Sequence, residues 1–342
     1  MPARGFGQVF GGLALGVLAA LLLLEIVFRV LPTSTATNVG YYYDEMLLTY
    51  PAHHRFTSAT GWQLQNARRN EANNFGYLAD HDFGRDPRAV ALIGDSFVEG
   101  SMLEPSQRFA PHLEARLEAR GGSRPVYAMG APGTALLDYA ERMRFAAQKF
   151  GIHDFVLLLE HGDIAQAVCG SGNVQAQCLA PRTLEPRVEK QGQPRALKRF
   201  LRHSALAQYL FSQLKLDPER WLYTKLGIWP AVVPREGQLP RQVIDRVIDE
   251  FFVRTAPYRT GKLVLVLSNG PAKGKPDEVE ARLAAAAEQH GAVLIRGEPL
   301  LEAETRRTGL SMHVSPHDGH LNGLAFGALA RAVAPALDAG RM

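Results

Sequence analysis

The sequence predicts an α/β fold: a three-layer, doubly wound parallel sheet, preceded by one transmembrane helix and interrupted by a mostly helical insertion. Three observations predict it. Short apolar runs ended by glycine alternate with segments of helical period. An uncharged stretch of bilayer length opens the chain. A Pro-rich region with its own helical patterns then breaks the alternation midway.

The first strand is "AVALI" (89–93), ended by Gly94. A helical pattern over 105–120 stops at Gly121-Gly122, and "PVYAM" (125–129) follows as the second strand, ended by Gly130. A helix over 134–150 stops at Gly151, and "DFVLLLE" (154–160) is the third strand. "KLVLVLS" (262–268), a helix over 276–290 and "AVLI" (292–295) resume the alternation, and a last helix covers about 321–337. Continuous apolar runs of this length suit strands buried on both faces of a parallel sheet. Between about 164 and 259 lies the insertion, with helices expected over "ALKRFLRHSALAQYLFSQL" and "PRQVIDRVIDEFFVRT". The division expected is an anchor over 1–32, a loop-rich lead-in over 33–88, and the α/β domain over 89–338.

The N-terminal run from Gly5 to Leu24 carries no formal charge. As a helix it is roughly 30 Å long, the thickness of a bilayer's hydrocarbon core. A cleaved signal peptide is the rival reading, but the helical pattern continues through "EIVFRVLP" to Pro32, which favours an uncleaved signal anchor. The expected location is the cytoplasmic membrane, single-pass, with the α/β domain on the periplasmic or extracytoplasmic side. The two cysteines, Cys169 and Cys178, lie in "CGSGNVQAQC"; outside the cytoplasm they read as a local disulfide, with two free thiols as the alternative. Hydrophobic residues make up 46% and charged residues 21%, with net charge +4. Those are values of a folded protein with a core, and the scattered basic residues form no nucleic-acid footprint. No Gly-rich phosphate loop is present, so no nucleotide cofactor is expected, nor any other cofactor.

Open parallel sheets build their sites at the carboxyl ends of strands. There the sequence places "GDSFVEG" (94–100), "GAPGT" (130–134), "EHGD" (160–163) and "HDGHLN" (317–322). A serine hydroxyl needs a base to become a nucleophile, and histidine suits that role near neutral pH. A carboxylate orients the imidazole and stabilises its cation, and glycine-turn N–H groups suit an oxyanion. The plainer alternatives are turn and capping roles for Ser96 and Asp318. A metal reading of His313, His317, Asp318 and His320 lacks a second ligand cluster at metal spacing, so no metal is expected.

"GDSFVEG" resembles the first block of the SGNH (GDSL-type) hydrolase superfamily, and "DGHLN" resembles its last. The lead-in "NNFGYLA…AVALIGDSFVEG" is similar to the bacterial membrane-anchored branch, which includes alginate acetylation proteins. The resemblance covers roughly 73–338 outside the insertion and implies a sheet of SGNH/flavodoxin-like layout. It implies Ser96 as nucleophile, His320 as base and Asp318 as its orienting acid, with oxyanion donors at Gly130 and the Ser96 N–H. The chain departs from the family at the third block, where Gly162 stands in place of an oxyanion asparagine and Asp163 in place of its aspartate; His161 and Gly162 are the alternatives for that donor. Three functions follow: an acyl or acetyl esterase acting on an extracytoplasmic glycan or lipid, a polysaccharide O-acyltransferase served by a membrane acyl-donor protein, or a non-catalytic glycan-binding scaffold.

Overall fold

The computed structural model describes residues 3–171, 176–192, 196–214, 216, 239–270 and 278–339. The chain forms two compact units. One comprises residues 1–37, 55–70 and 193–228, and the other comprises 38–54, 71–192 and 229–342.

The larger unit holds the parallel sheet. Counting from the hairpin strands β1 (Arg55–Thr60) and β2 (Gln65–Glu71), its strands among the described residues are β3 (Val90–Gly94), β4 (Val126–Gly130), β5 (Asp154–Leu159), β8 (Leu263–Leu267) and β9 (Val293–Arg296). Two short strands, β6 (Gln177–Leu179) and β7 (Pro186–Val188), pair apart from it. The sheet order is β4-β3-β5-β8-β9, every pair parallel. In chain order that is 2-1-3-4-5, the flavodoxin-like winding, whose direction reverses between β3 and β5.

Strands β3, β4, β5 and β8 are buried throughout. Alternate side chains feed two separate cores, as the period of a strand demands. Ala91, Ile93, Phe155, Leu157 and Leu265 enter one core, and Val90, Leu92, Val156, Leu158 and Val264 enter the other. Helix α3 (Phe109–Glu118) and the C-terminal helix Gly323–Asp338 close the second core, where Phe109 stacks on Phe326. Helices Leu136–Phe145, Arg241–Thr255 and Glu278–Gln289 close the first. The three-layer architecture expected from the sequence is therefore present.

The insertion expected over 164–259 is not one body. Helix Arg241–Thr255 is a covering helix of the sheet, because Ile244, Val247, Ile248, Phe251 and Phe252 form one apolar stripe that is buried in the core. Segment 196–216 belongs to the smaller unit instead. Its expected single helix is broken. Helix Ala196–Leu201 ends, and Ser204 starts a new turn by accepting from the Ala207 N–H. The lead-in likewise contributes to both units, and its polar stretch 55–71 pairs as the β1–β2 hairpin. Part of the insertion, 217–238, lies outside the described residues, as do the first two residues of the helix expected over 276–290.

The smaller unit contains α1 (Ala3–Val30), of which Gln8–Val30 is long and apolar enough to cross a membrane. The same length and composition also fit a signal sequence.

Candidate active site

The nucleophile candidate is placed by a four-residue helix, α2 (Ser96–Glu99), which leaves the carboxyl end of β3. Asp95 caps it by accepting from the Phe97 N–H at 2.9 Å, and Gly100 ends it in the left-handed conformation with φ +61°. Ser96 is the first helical residue, so its own N–H lies outside the helical ladder and faces the positive end of the turn.

Gly130 makes this placement possible. A Cβ there would lie 2.2 Å from the Glu99 backbone nitrogen and 2.7 Å from its Cα. Only glycine lets the end of β4 pass against α2. Behind the helix, Glu99 is buried and its carboxyl is pushed up by burial, with the Tyr50 hydroxyl donating to its Oε1.

The base candidate, His320, arrives from the far end of the chain. After β9 the chain must reach "HDGHLN" at 317–322. The structure has a helix, Gly297–Thr308, then a small antiparallel hairpin of His313–Ser315 and Asp318–Leu321. Asp318 and His320 stand two apart on one strand and so share a face. Asn322 then caps the C-terminal helix, accepting from the Leu324 and Ala325 N–H groups.

These elements close one chain of hydrogen bonds. The Ser96 Oγ lies 2.8 Å from His320 Nε2, and His320 Nδ1 lies 2.5 Å from Asp318 Oδ1. A carboxylate accepts, so Nδ1 carries the proton and Nε2 accepts from the serine hydroxyl. Asp318 Oδ1 also accepts from the His320 backbone N–H at 3.1 Å, which fixes the carboxylate against the ring. Phe97 lies against the imidazole with ring centroids 4.7 Å apart. Burial favours the neutral imidazole, but the Asp318 hydrogen bond and charge, with Asp95 and Glu160 behind them, outweigh it and hold the His320 pKa above its ordinary value.

Beneath the serine lies a buried polar layer. Asp163, just after the carboxyl end of β5, accepts from the Glu160 N–H at 2.9 Å. Its carboxyl is pushed well up by burial and by the neighbouring Asp95 charge. Asp95 is raised by burial too, against the attraction of His320 and Arg142. Arg142, itself buried, donates to the Gly94 carbonyl at 3.1 Å and to Thr134 Oγ1 at 2.9 Å. This layer ties the ends of β3 and β4 together beside Ser96.

His161 and Gly162 sit at the end of β5, beside the point where the sheet's winding reverses. His161 is buried, and both its N–H and its Nδ1 lie 3.0 Å from Asn269 Oδ1. An oxygen that accepts from a backbone N–H accepts from the ring as well, so Nδ1 carries the proton. Gly162 begins the short helix Gly162–Gln166, and its N–H is outside that helix's ladder. The sequence reading missed Asn269, which follows β8; the only signal was a polar residue before a glycine at the carboxyl end of a strand. Cys169 and Cys178 are joined in a disulfide.

No family model matches the chain, and no curated protein matches it either. Solved structures with similar folds do exist. One is an α/β hydrolase enzyme from the metagenome of Lake Arreo, Spain, at 14% identity and TM-score 0.43, covering 75% of this chain and 96% of that one. Another is a member of the lipolytic protein G-D-S-L family from Veillonella parvula, at 11% identity and TM-score 0.41, covering 73% and 98%. A third is TesA, at 15% identity and TM-score 0.41, also covering 73% and 98%. Ser96, His320 and Asp318 are joined by the hydrogen bonds described above.

Proposed function

We propose that the chain is a membrane-anchored serine esterase of the SGNH type, removing acyl or acetyl groups from an extracytoplasmic glycan or lipid. The observation that carries this is the unbroken Ser96–His320–Asp318 relay at the carboxyl edge of the sheet, where the winding reverses.

The chemistry follows from the geometry. Ser96 Oγ attacks the ester carbonyl as His320 Nε2 takes its proton, and Asp318 stabilises the imidazolium. The oxyanion forms at the start of α2, where the Ser96 N–H is available as a donor, with the Gly130 N–H as the second. Collapse returns the proton from His320 to the leaving alcohol and leaves an acyl-Ser96. Water, deprotonated by the same imidazole, then releases the acid. Transfer to a sugar hydroxyl would use the same acyl-enzyme, but hydrolysis requires no second protein.

The disulfide and the apolar α1 support an oxidising compartment outside the cytoplasmic membrane. The test is release of p-nitrophenol from p-nitrophenyl acetate by the full chain, with and without oligosaccharide acceptors. Release that is lost in Ser96→Ala, and whose acetate appears free even with acceptors present, is the expected result. Release unaffected by Ser96→Ala removes the reading, and acetylated sugar as main product replaces hydrolysis with transfer.

A further inference from the structure

The smaller unit holds a feature that the esterase chemistry does not use. Glu25 is the first charge after the long apolar run, and segment 196–216 grips it. Ser204 Oγ donates to Glu25 Oε2 at 2.7 Å, and the Ala205 and Leu206 N–H groups donate at 3.0 and 3.1 Å. One turn on, Arg29 donates to the His203 carbonyl at 3.1 Å and Phe28 stacks on Tyr209 with centroids 4.1 Å apart. Further along, the Ser34 N–H donates to Gln213 Oε1, and Gln213 Nε2 donates to the Gly61 carbonyl. The Tyr209 hydroxyl donates to the Trp62 carbonyl, which brings the β1–β2 turn to the same place.

These contacts fix a depth. Helix α1 ends at Val30, five residues after Glu25 and roughly 8 Å along the axis. Whatever holds the Glu25 carboxylate must lie where an apolar span meets water. The same unit exposes Phe200 (73%), Trp62 (70%), Leu216 (50%) and Phe211 (46%), large apolar side chains in one short segment and the adjoining turn. The adjoining run 195–203 carries Arg195, Lys198, Arg199 and Arg202 and no acidic residue. Aromatic and aliphatic side chains beside a basic run, continuous with the foot of a span, match the headgroup layer of a bilayer.

We propose that segment 196–214, with the turn at Trp62, is an interfacial collar that lies in the headgroup layer around the foot of α1 and takes anionic phospholipid as its ligand. The collar rests on the reading of α1 as a membrane span. Phe200 and Phe211 enter the upper acyl region, while Arg199 and Arg202 face lipid phosphates. The collar thereby sets the depth of the whole smaller unit.

The test uses the full chain in nanodiscs of phosphatidylcholine, with or without phosphatidylglycerol. Single cysteines replacing Val17, Phe200 or Phe211 carry an environment-sensitive dye; the native cysteines are consumed by their disulfide. Lipids brominated near the headgroup report contact. The expected result is several-fold quenching at 200 and 211, stronger with phosphatidylglycerol, and deep-membrane emission at 17. Arg199→Gln with Arg202→Gln should weaken the phosphatidylglycerol dependence, by about five-fold for each charge removed. Deep-membrane emission at 17 with water-like, unquenched emission at 200 and 211 overturns the collar alone. Water-like emission at all three positions overturns both the span and the collar.

Discussion

Replacing Gly130 with alanine tests whether the end of β4 sets the position of the nucleophile. The new Cβ would lie 2.2 Å from the Glu99 nitrogen and 2.7 Å from the Val98 carbonyl carbon, all backbone atoms that cannot rotate away. Ordinary contact begins at 3.4 Å, so strand and helix must part by about 1.2 Å. Helix α2 has only four residues, and Ser96 moves with it. The 2.8 Å bond to His320 would then stretch to near 4 Å, beyond hydrogen-bonding reach. A misplacement of about 1 Å costs roughly 100-fold in rate. Overpacking of this kind destabilises by about 1–3 kcal/mol. A domain stable by about 5–15 kcal/mol stays folded under that load, so the rate and the fold separate. The assay is kcat on p-nitrophenyl acetate beside a thermal melt. A Gly130→Ala chain that melts a few degrees early but keeps the wild-type rate would refute the coupling between this glycine and Ser96.

Two further outcomes follow from the relay and one from the disulfide. Asp318→Asn should lower kcat by about four orders of magnitude, because an amide neither fixes the tautomer nor stabilises the imidazolium. The active form carries neutral His320, so kcat/KM of the wild type should fall as pH drops through a pKa above 6.5. Removing the Asp318 charge takes away what favours the cation, so in Asp318→Asn that acid limb should move to lower pH; a limb that stays in place would contradict the assignment. Replacing Cys169 and Cys178 with alanine opens a loop of sequence separation 9 and should lower unfolding stability by about 2–3 kcal/mol in denaturant titrations.

Much of this arrangement was legible in the sequence because it depends on local pattern. The runs "AVALI", "PVYAM", "DFVLLLE", "KLVLVLS" and "AVLI" are the five strands of the sheet, since burial on both faces leaves continuous apolar stretches. Ser96 and His320 were legible as partners because each follows a turn at the same edge of the sheet. What stayed hidden depends on distant partners. Segment 196–214 keeps a helical period, yet Ser204 breaks it, because its hydroxyl and the next N–H groups turn to Glu25, about 180 residues away. The polar stretch 55–71 pairs as a hairpin without apolar alternation. Helix Arg241–Thr255 looked like part of an insertion by position, although its apolar stripe packs on the sheet. Asn269 gave almost no sequence signal, because its role is to receive His161 from a neighbouring strand's loop.

The central claim is that Ser96 is the nucleophile, activated by His320. A fluorophosphonate probe applied to the full chain, followed by peptide mass spectrometry, tests it most directly. The account predicts one adduct, on the peptide carrying Ser96, absent in Ser96→Ala and strongly slowed in His320→Ala. An adduct on another serine, or labelling that persists in Ser96→Ala, would contradict it.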